Sequence, residues 1–132
     1  MAAPWHAYAL VALGSAVGGA GRFWVNNWIT HRFGTDFPYG TVAINITGSA
    51  LIGFLAALTG PGGRLAHQAH LPWLLMSGVC GGYTTFSAFS LQTVELLQLA
   101  RWGAAAANVA ASVTLCLLGT WAGWALGRWW NP

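Results

Sequence analysis

The sequence carries very little charge. It contains no lysine, five arginines, a single aspartate, Asp36, and a single glutamate, Glu95. Charged residues make up 5% of the chain and hydrophobic residues 56%, whereas about 25% of an average soluble domain is charged. So few charges cannot cover the surface of a soluble domain. The composition therefore predicts an integral membrane protein.

The same scarcity excludes several partners and chemistries. The net charge of +3 comes from scattered arginines rather than a basic patch, so no nucleic acid partner is expected. Cys80 and Cys116 lie in apolar segments without metal-ligand spacing, and we expect them to pack as small hydrophobic side chains. Asp36 falls in a loop and Glu95 near the end of an apolar stretch, with no catalytic constellation around them. We do not expect an enzyme.

Four apolar stretches are each long enough to cross a bilayer, which takes about 20 residues of helix. They cover approximately residues 8–28, 40–59, 71–99 and 103–129. The N-terminal stretch has no basic n-region, so we interpret it as the first span and not as a removed signal peptide. We predict a single all-α transmembrane domain of four helices, residues 1–132.

The arginines give almost no signal for the orientation of these spans. Arg64 and Arg128 fall on the side of the two termini, and Arg32 and Arg101 fall on the side of the first and third loops. Arg22, inside the end of the first span, tips this balance only slightly. The positive-inside rule does not choose between the two orientations. Either weaker cues decide the insertion, or the chain inserts both ways and pairs with its own inverted copy.

Two glycines interrupt the third predicted span. The stretch "VCGGYTTFSAFS", residues 79–90, places Gly81 and Gly82 in the middle of it. Glycine is a poor helix former that allows unusual backbone dihedrals. We therefore predict a helix broken near its middle. Backbone carbonyls exposed at such a break are ligands for a hard cation such as Na⁺.

An aromatic pair follows the glycines. Phe86 and Phe89 are three residues apart and share one helix face. The edge of a phenyl ring is electropositive, so ring edges beside hydroxyl and amide donors can stabilise a small dehydrated anion. An ordinary aromatic packing stripe is the alternative. The neighbouring hydroxyl side chains are Thr85, Ser87 and Ser90.

Other polar residues at membrane depth allow two readings each. Asn45 can offer amide N–H donors to a ligand while a neighbour holds its carbonyl, or it can clamp two helices. Asn108 and Ser112 share a face of the fourth span and serve either as packing glue or as a pore wall. Arg22 either turns inward, where it attracts anions, or anchors the helix end. A line of glycines predicts close helix packing: Gly119, Gly123 and Gly127.

Three motifs together resemble those of the CrcB/Fluc family of fluoride channels. They are "GSAVGGAGR" (residues 14–22), "GTVAINITGSALIGF" (residues 40–54) and "GVCGGYTTFSAFS" (residues 78–90). Their order, their spacing and the four-span layout agree over nearly the whole chain, and the third motif is highly specific. The resemblance implies a fluoride-specific channel of the bacterial plasma (inner) membrane. Such a channel exports F⁻ passively and so reduces fluoride toxicity in the cytoplasm.

The resemblance also implies an assembly and a set of site residues. The family forms antiparallel homodimers in the bilayer, with two fluoride pores and a central, structural Na⁺ that is not transported. Carried over to this chain, the backbone carbonyls of Gly81 and Thr84 would bind Na⁺. Asn108 stands where several members have tyrosine. The side chains implied along the fluoride pathway are Asn45, Phe86, Phe89, Thr85, Ser87, Ser112 and Arg22.

Two alternatives remain open at this level. Small multidrug resistance transporters are also four-span, dual-topology chains, and they exchange protons for cationic drugs through a glutamate in the first span. This sequence has no carboxylate in its first or second span, which argues against that reading. The other alternative is a non-transporting assembly subunit, whose polar residues would only hold helices together.

Overall fold

A computed structural model describes residues 3–131 as helices joined by short turns. Within these residues there is no strand, which confirms the prediction of an all-α fold. The elements in chain order are α1 (Trp5–Phe33), α2 (Tyr39–Thr59), α3 (Pro72–Cys80), α4 (Gly81–Tyr83), α5 (Phe86–Gln98) and α6 (Trp102–Trp130).

The third predicted span is broken, but not at its glycines. Segment α3 is a π-helix that passes directly into the single turn α4, and Gly81 has ordinary helical angles, φ −63° and ψ −38°. The chain leaves the helix at Thr84, with ψ 159°, and at Thr85, with φ −155° and ψ 113°. Segment α5 then begins at Phe86. The predicted break near the middle of the span is confirmed, and it lies at Thr84 and Thr85, just after the two glycines.

The glycines of this segment permit close contact with α1. A Cβ added to Gly82 would lie 2.5 Å from the carbonyl oxygen of Ser15, and one added to Gly78 would lie 2.9 Å from Cα of Gly14. Real Cβ atoms do not approach other atoms this closely, so a side chain at either position would push the two helices apart. Glycine is required here because the backbone of α1 passes alongside. The weak helix propensity of glycine therefore does not mark the position of the break.

The helices form two closely packed groups that share α2. Segments α3 and α4 pack along α1, α2 packs most extensively against α6, and α5 makes a smaller contact with α6. The glycines of α6 make the second group tight. A Cβ added to Gly123 would lie 2.8 Å from the carbonyl carbon of Ala50, and one added to Gly127 would lie 2.8 Å from the carbonyl oxygen of Phe54. The predicted role of this glycine line is confirmed.

Two helices of the described chain, α2 and α6, are long and apolar enough to cross a membrane by length and composition. Of the other two predicted spans, α1 does not meet this criterion, and the third is divided by the break into pieces of at most 13 residues. Helix α6 is apolar on the faces that the rest of the chain does not cover, and the side chains of Leu117 and Trp121 are each 68% exposed. A helix of this kind requires lipid or another apolar partner around it.

Candidate functional site

The side chain of Asn45 on α2 stabilises the backbone at the break. Its side-chain Oδ1 accepts a hydrogen bond from the backbone N–H of Thr85 at 2.8 Å, and its Nδ2 donates to the backbone carbonyl of Thr85 at 3.0 Å. Both backbone groups of Thr85 are therefore satisfied by one amide from a different helix. This pairing replaces the helical hydrogen bonds that Thr85 gives up, and it leaves one N–H of the amide available to a ligand.

The diverted N–H of Thr85 leaves a carbonyl of α4 without its helical partner. In a continuous helix this N–H would bond to the carbonyl of Gly81. Thr84 does not donate to the Gly81 carbonyl in place of Thr85. Its N–H and its hydroxyl both donate to the carbonyl of Cys80, each at 2.9 Å. Within residues 3–131, neither Gly81 nor Thr84 has a hydrogen-bond donor on its carbonyl oxygen.

The restart of the helix at α5 is capped and carries the two phenylalanines. The Oγ1 of Thr85 accepts a hydrogen bond from the N–H of Ala88 at 3.2 Å, as an N-cap does. The Phe86 and Phe89 rings follow, with centroids 5.2 Å apart and planes inclined by 50°. Phe89 is buried, whereas Phe86 is 78% exposed on the outside of the single chain. The pair therefore points from the interior of the bundle outward.

A cavity of about 420 Å³ lies beside the break, and we refer to it as the break cavity. No acidic or basic side chain is among the residues that line it. Ser112 of α6 is 7% exposed, and its hydroxyl has no hydrogen-bond partner within the described chain. The predicted site residues that the break cavity brings together are Asn45, Gly81, Thr84, Thr85, Phe86, Phe89 and Ser112.

Two predicted pathway residues lie outside the break cavity. Ser87 is exposed, and its hydroxyl lies 3.2 Å from Oγ1 of Thr85, so it contacts the cap and not the cavity. Arg22 is half-buried on α1, which contributes nothing to the cavity wall. Within residues 3–131 the guanidinium of Arg22 makes no hydrogen bond or ion pair.

Sequence reasoning missed several residues of the cavity wall. Ser49 follows Asn45 by four residues on α2, and Cys116 follows Ser112 by four on α6, so helical spacing alone places each of them beside a predicted residue. Cys80 is 1% exposed and also lines the cavity. Both cysteines are free thiols in the structure, as expected.

Asn108 joins α6 to α5. Its side chain is fully buried, and its Nδ2 donates a hydrogen bond to Oγ1 of Thr93 at 2.8 Å. Its Oδ1 has no partner within residues 3–131. Asn108 does not line the break cavity, although it lies one helical turn from Ser112, which does. The amide therefore serves as interhelical glue with one unused acceptor.

Comparison with known proteins shows the family to which the chain belongs. Residues 9–124 match the family model described as "CrcB-like protein, Camphor Resistance (CrcB)". The chain belongs to the CrcB family. The matched region contains both sides of the Asn45–Thr85 pairing and every residue of the break cavity named above.

Several relatives within the CrcB family carry the name "Fluoride-specific ion channel FluC". The protein of Paramagnetospirillum magneticum is 50% identical over 116 residues, which cover 88% of this chain and 91% of the relative. That of Rhodospirillum rubrum is 50% identical over 116 residues, covering 88% and 90%. That of Opitutus terrae is 47% identical over 116 residues, covering 88% of each chain.

Proposed function

We propose that this CrcB-family chain is a fluoride-specific ion channel that lets F⁻ leave the cell passively and so lowers fluoride toxicity in the cytoplasm. The observation that carries the proposal is the Asn45–Thr85 pairing, which fixes a broken span beside the Phe86–Phe89 pair. The names and high coverage of the FluC relatives support it. A passive pore needs no catalytic residue, and we propose no enzymatic activity.

The break cavity has the chemistry of an anion site. Fluoride is small and strongly hydrated, so a dehydrated path must replace its water with other donors. The free N–H of Asn45 and the unpaired hydroxyl of Ser112 are such donors, and the edges of Phe86 and Phe89 add positive electrostatic potential. No carboxylate lines the cavity to repel the ion. Thr85 and Ser87 shape the wall through the cap, and Arg22 raises the local anion concentration from α1.

We further propose a multi-pass protein of the plasma (inner) membrane that works as an inverted homodimer. The even distribution of arginines favours neither orientation, which supports insertion in both. The exposed apolar surface of α6 supports burial in lipid, and Phe86, 78% exposed on the single chain, supports burial against a second copy. Two copies in opposite orientations would carry two pathways.

A structural Na⁺ fits the carbonyls at the break. The carbonyl oxygens of Gly81 and Thr84 have no hydrogen-bond donor within residues 3–131, and oxygen ligands suit a hard cation. The backbone of Gly81 is open on its outer side, since the nearest atom to an added Cβ is the Met76 carbonyl oxygen at 3.8 Å. In the inverted dimer each copy would supply the same two carbonyls, and the ion would hold the copies together without being transported.

Fluoride efflux from liposomes tests the proposal. Purified protein is reconstituted into liposomes loaded with potassium fluoride, valinomycin supplies the potassium counter-current, and a fluoride electrode records the release. We expect rapid efflux from the wild type. Phe86→Ile should lower the flux severely while the protein still elutes as a dimer, because this change keeps bulk but removes the ring edge. Phe23→Ile, on the exposed surface of α1, is the matched control and should leave the flux unchanged.

Each alternative predicts a different result. A non-transporting assembly subunit would release no more fluoride than protein-free liposomes, even as a folded dimer. A proton-coupled transporter of the small multidrug type would give efflux that follows a pH gradient and needs no valinomycin. Unchanged flux in Phe86→Ile would show that the edge of the Phe86 ring does not stabilise the ion.

A further inference from the structure

A second cavity collects the only two carboxylates of the chain, and we refer to it as the charged cavity. It has a volume of about 320 Å³ and lies between the end of α1, the loop of residues 34–38, the start of α2 and the end of α5. Asp36 and Glu95 both line it, and Arg101 is the one basic residue in its wall. Its formal charge is therefore one negative unit, and it would be two without Arg101.

The charged cavity lies about one helical turn beyond the break cavity along α5. Phe89 lines the break cavity, and Gln92, three residues later on the same helix, lines the charged cavity. Asn108 and Thr93 form a hydrogen-bonded pair in this part of the α5–α6 contact. The side-chain oxygens of Gln92 and Asn108 are buried without a partner in the described chain. Unpartnered polar atoms therefore lie on both α5 and α6 in the part of the bundle near the two cavities.

Arg101 lies at the wall of the charged cavity, with its backbone fixed between two helices and its side chain exposed. Its backbone N–H donates to the carbonyl of Leu96 at 2.9 Å, which closes the end of α5, and its carbonyl accepts from the N–H of Ala105 at 3.0 Å, which starts α6. Its guanidinium Nη1 donates to the backbone carbonyl of Asp36. Within residues 3–131 the guanidinium makes no other hydrogen bond, so its remaining N–H groups are available to an anion.

We propose that the charged cavity is the mouth of the fluoride pathway at the C-terminal end of α5 and that Arg101 makes this mouth passable to an anion. The inference rests on the proposed function. Two carboxylates at the mouth of a narrow path repel fluoride. Because Asp36, Glu95 and Arg101 are all exposed, salt screens this repulsion and low ionic strength strengthens it. The fixed positive charge of Arg101 offsets one of the two carboxylates at the point where the ion leaves or enters.

Substitution of Arg101 tests the proposal in the efflux assay at low ionic strength. Arg101→Gln should lower the fluoride flux by about three- to tenfold, a modest effect for local charge in a cleft, and Arg101→Lys should keep most of the flux because it keeps the charge. Arg32→Gln is the matched control. Arg32 is near the same end of α1, with its guanidinium 5.7 Å from the Trp28 ring centroid, and it does not line the cavity. This control should behave as the wild type.

A charge-compensating variant separates the charge of Arg101 from its tie to the loop. Glu95→Gln combined with Arg101→Gln restores a formal charge of one negative unit, and we expect it to recover most of the lost flux. Glu95→Gln alone should exceed the wild-type flux, which provides a readout even if Arg101→Gln folds poorly. Raising the ionic strength should shrink these differences, because the Debye length falls from about 10 Å at 0.1 M to about 3 Å at 1 M salt.

Different results would refute this inference and the proposed function. If the wild type conducts and folded Arg101→Gln conducts equally well, the inference is wrong. It is also wrong if Arg101→Gln is impaired but Glu95→Gln neither compensates it nor raises the flux alone, since the residue then acts only through its hydrogen bond to the Asp36 carbonyl. A silent wild type would instead refute the proposed function.

Discussion

Thr85 shows how one residue can leave a helix at membrane depth without leaving its backbone groups unpaired. Away from water, an unpaired backbone N–H or carbonyl costs about 1–3 kcal/mol. Asn45 meets both needs of Thr85 with one neutral amide. The use of an amide, and not a charged side chain, keeps the break cavity free of fixed charge, so an anion in the pathway that we propose would meet no strong trap there.

Ser112 allows function to be separated from stability. Its buried hydroxyl has no partner in the described chain, so Ser112→Ala removes no hydrogen bond and should change the free energy of unfolding by less than about 0.5 kcal/mol. The flux should nevertheless fall by about tenfold, because a hydrogen bond to an ion contributes about 1.5–3 kcal/mol. Thermal denaturation in detergent and liposome efflux measure the two effects.

Ser77→Ala is the control for Ser112→Ala, since Ser77 is exposed on α3 and does not line the break cavity. It should leave both quantities unchanged. A stable Ser112→Ala variant with wild-type flux would show that this hydroxyl does not contact the ion.

At the scale of the element, the third span shows what local sequence can and cannot predict. The polar stretch of residues 79–90 correctly indicated that the span is not a simple helix. It did not indicate where the helix ends, because glycine permits both a break and a close helix contact. The end is fixed at Thr85 by Asn45, which is 40 residues away, and no local pattern contains that contact.

The other residues of the site also differ in whether the sequence could predict their positions. The spacing of Phe86 and Phe89 and of Asn108 and Ser112 predicted shared faces, as periodicity allows. The convergence of Asp36, Glu95 and Arg101 on one cavity was not predicted, because it depends on how two loops fold over the end of α5. Residues placed by helical period were predictable, whereas residues placed by loops or by long-range pairing were not.

The two neighbouring glycines of α4 should respond differently to alanine. Gly82→Ala should destabilise the protein by about 1–3 kcal/mol, because its Cβ would lie 2.5 Å from the Ser15 carbonyl oxygen and 2.7 Å from Ser15 Cα. Gly81→Ala is the matched control, with no non-local atom nearer than 3.8 Å, and it should fold at least as well as the wild type. Thermal denaturation of both variants checks this, and equal destabilisation would contradict the packing role of Gly82.

At the scale of the whole molecule, a single chain leaves a large apolar surface exposed. Its α6 exposes tryptophan and leucine side chains along most of its length, and its α5 presents Phe86 outward. The groups α1–α3–α4 and α2–α6 meet only through α2. The inverted second copy that we propose would cover part of this apolar surface without any additional sequence.

Labelling a single terminal cysteine tests the inverted arrangement. The variant carries Ala3→Cys together with Cys80→Ala and Cys116→Ala, and a membrane-impermeant thiol reagent is added outside sealed vesicles, before or after permeabilisation. We expect about half of the chains to react before permeabilisation, because the two copies place their termini on opposite faces. Reaction of all chains or of none from one side would exclude dual topology.

The most direct test of the central claim compares fluoride with chloride in the same wild-type liposomes. Vesicles loaded with both potassium salts are diluted into a salt free of both anions, and two electrodes record their release before and after valinomycin. We predict that fluoride leaves only after valinomycin is added, as expected of an uncoupled channel, while chloride stays inside. Release of both anions at similar rates, or fluoride release that needs no valinomycin, would contradict a passive fluoride-specific channel.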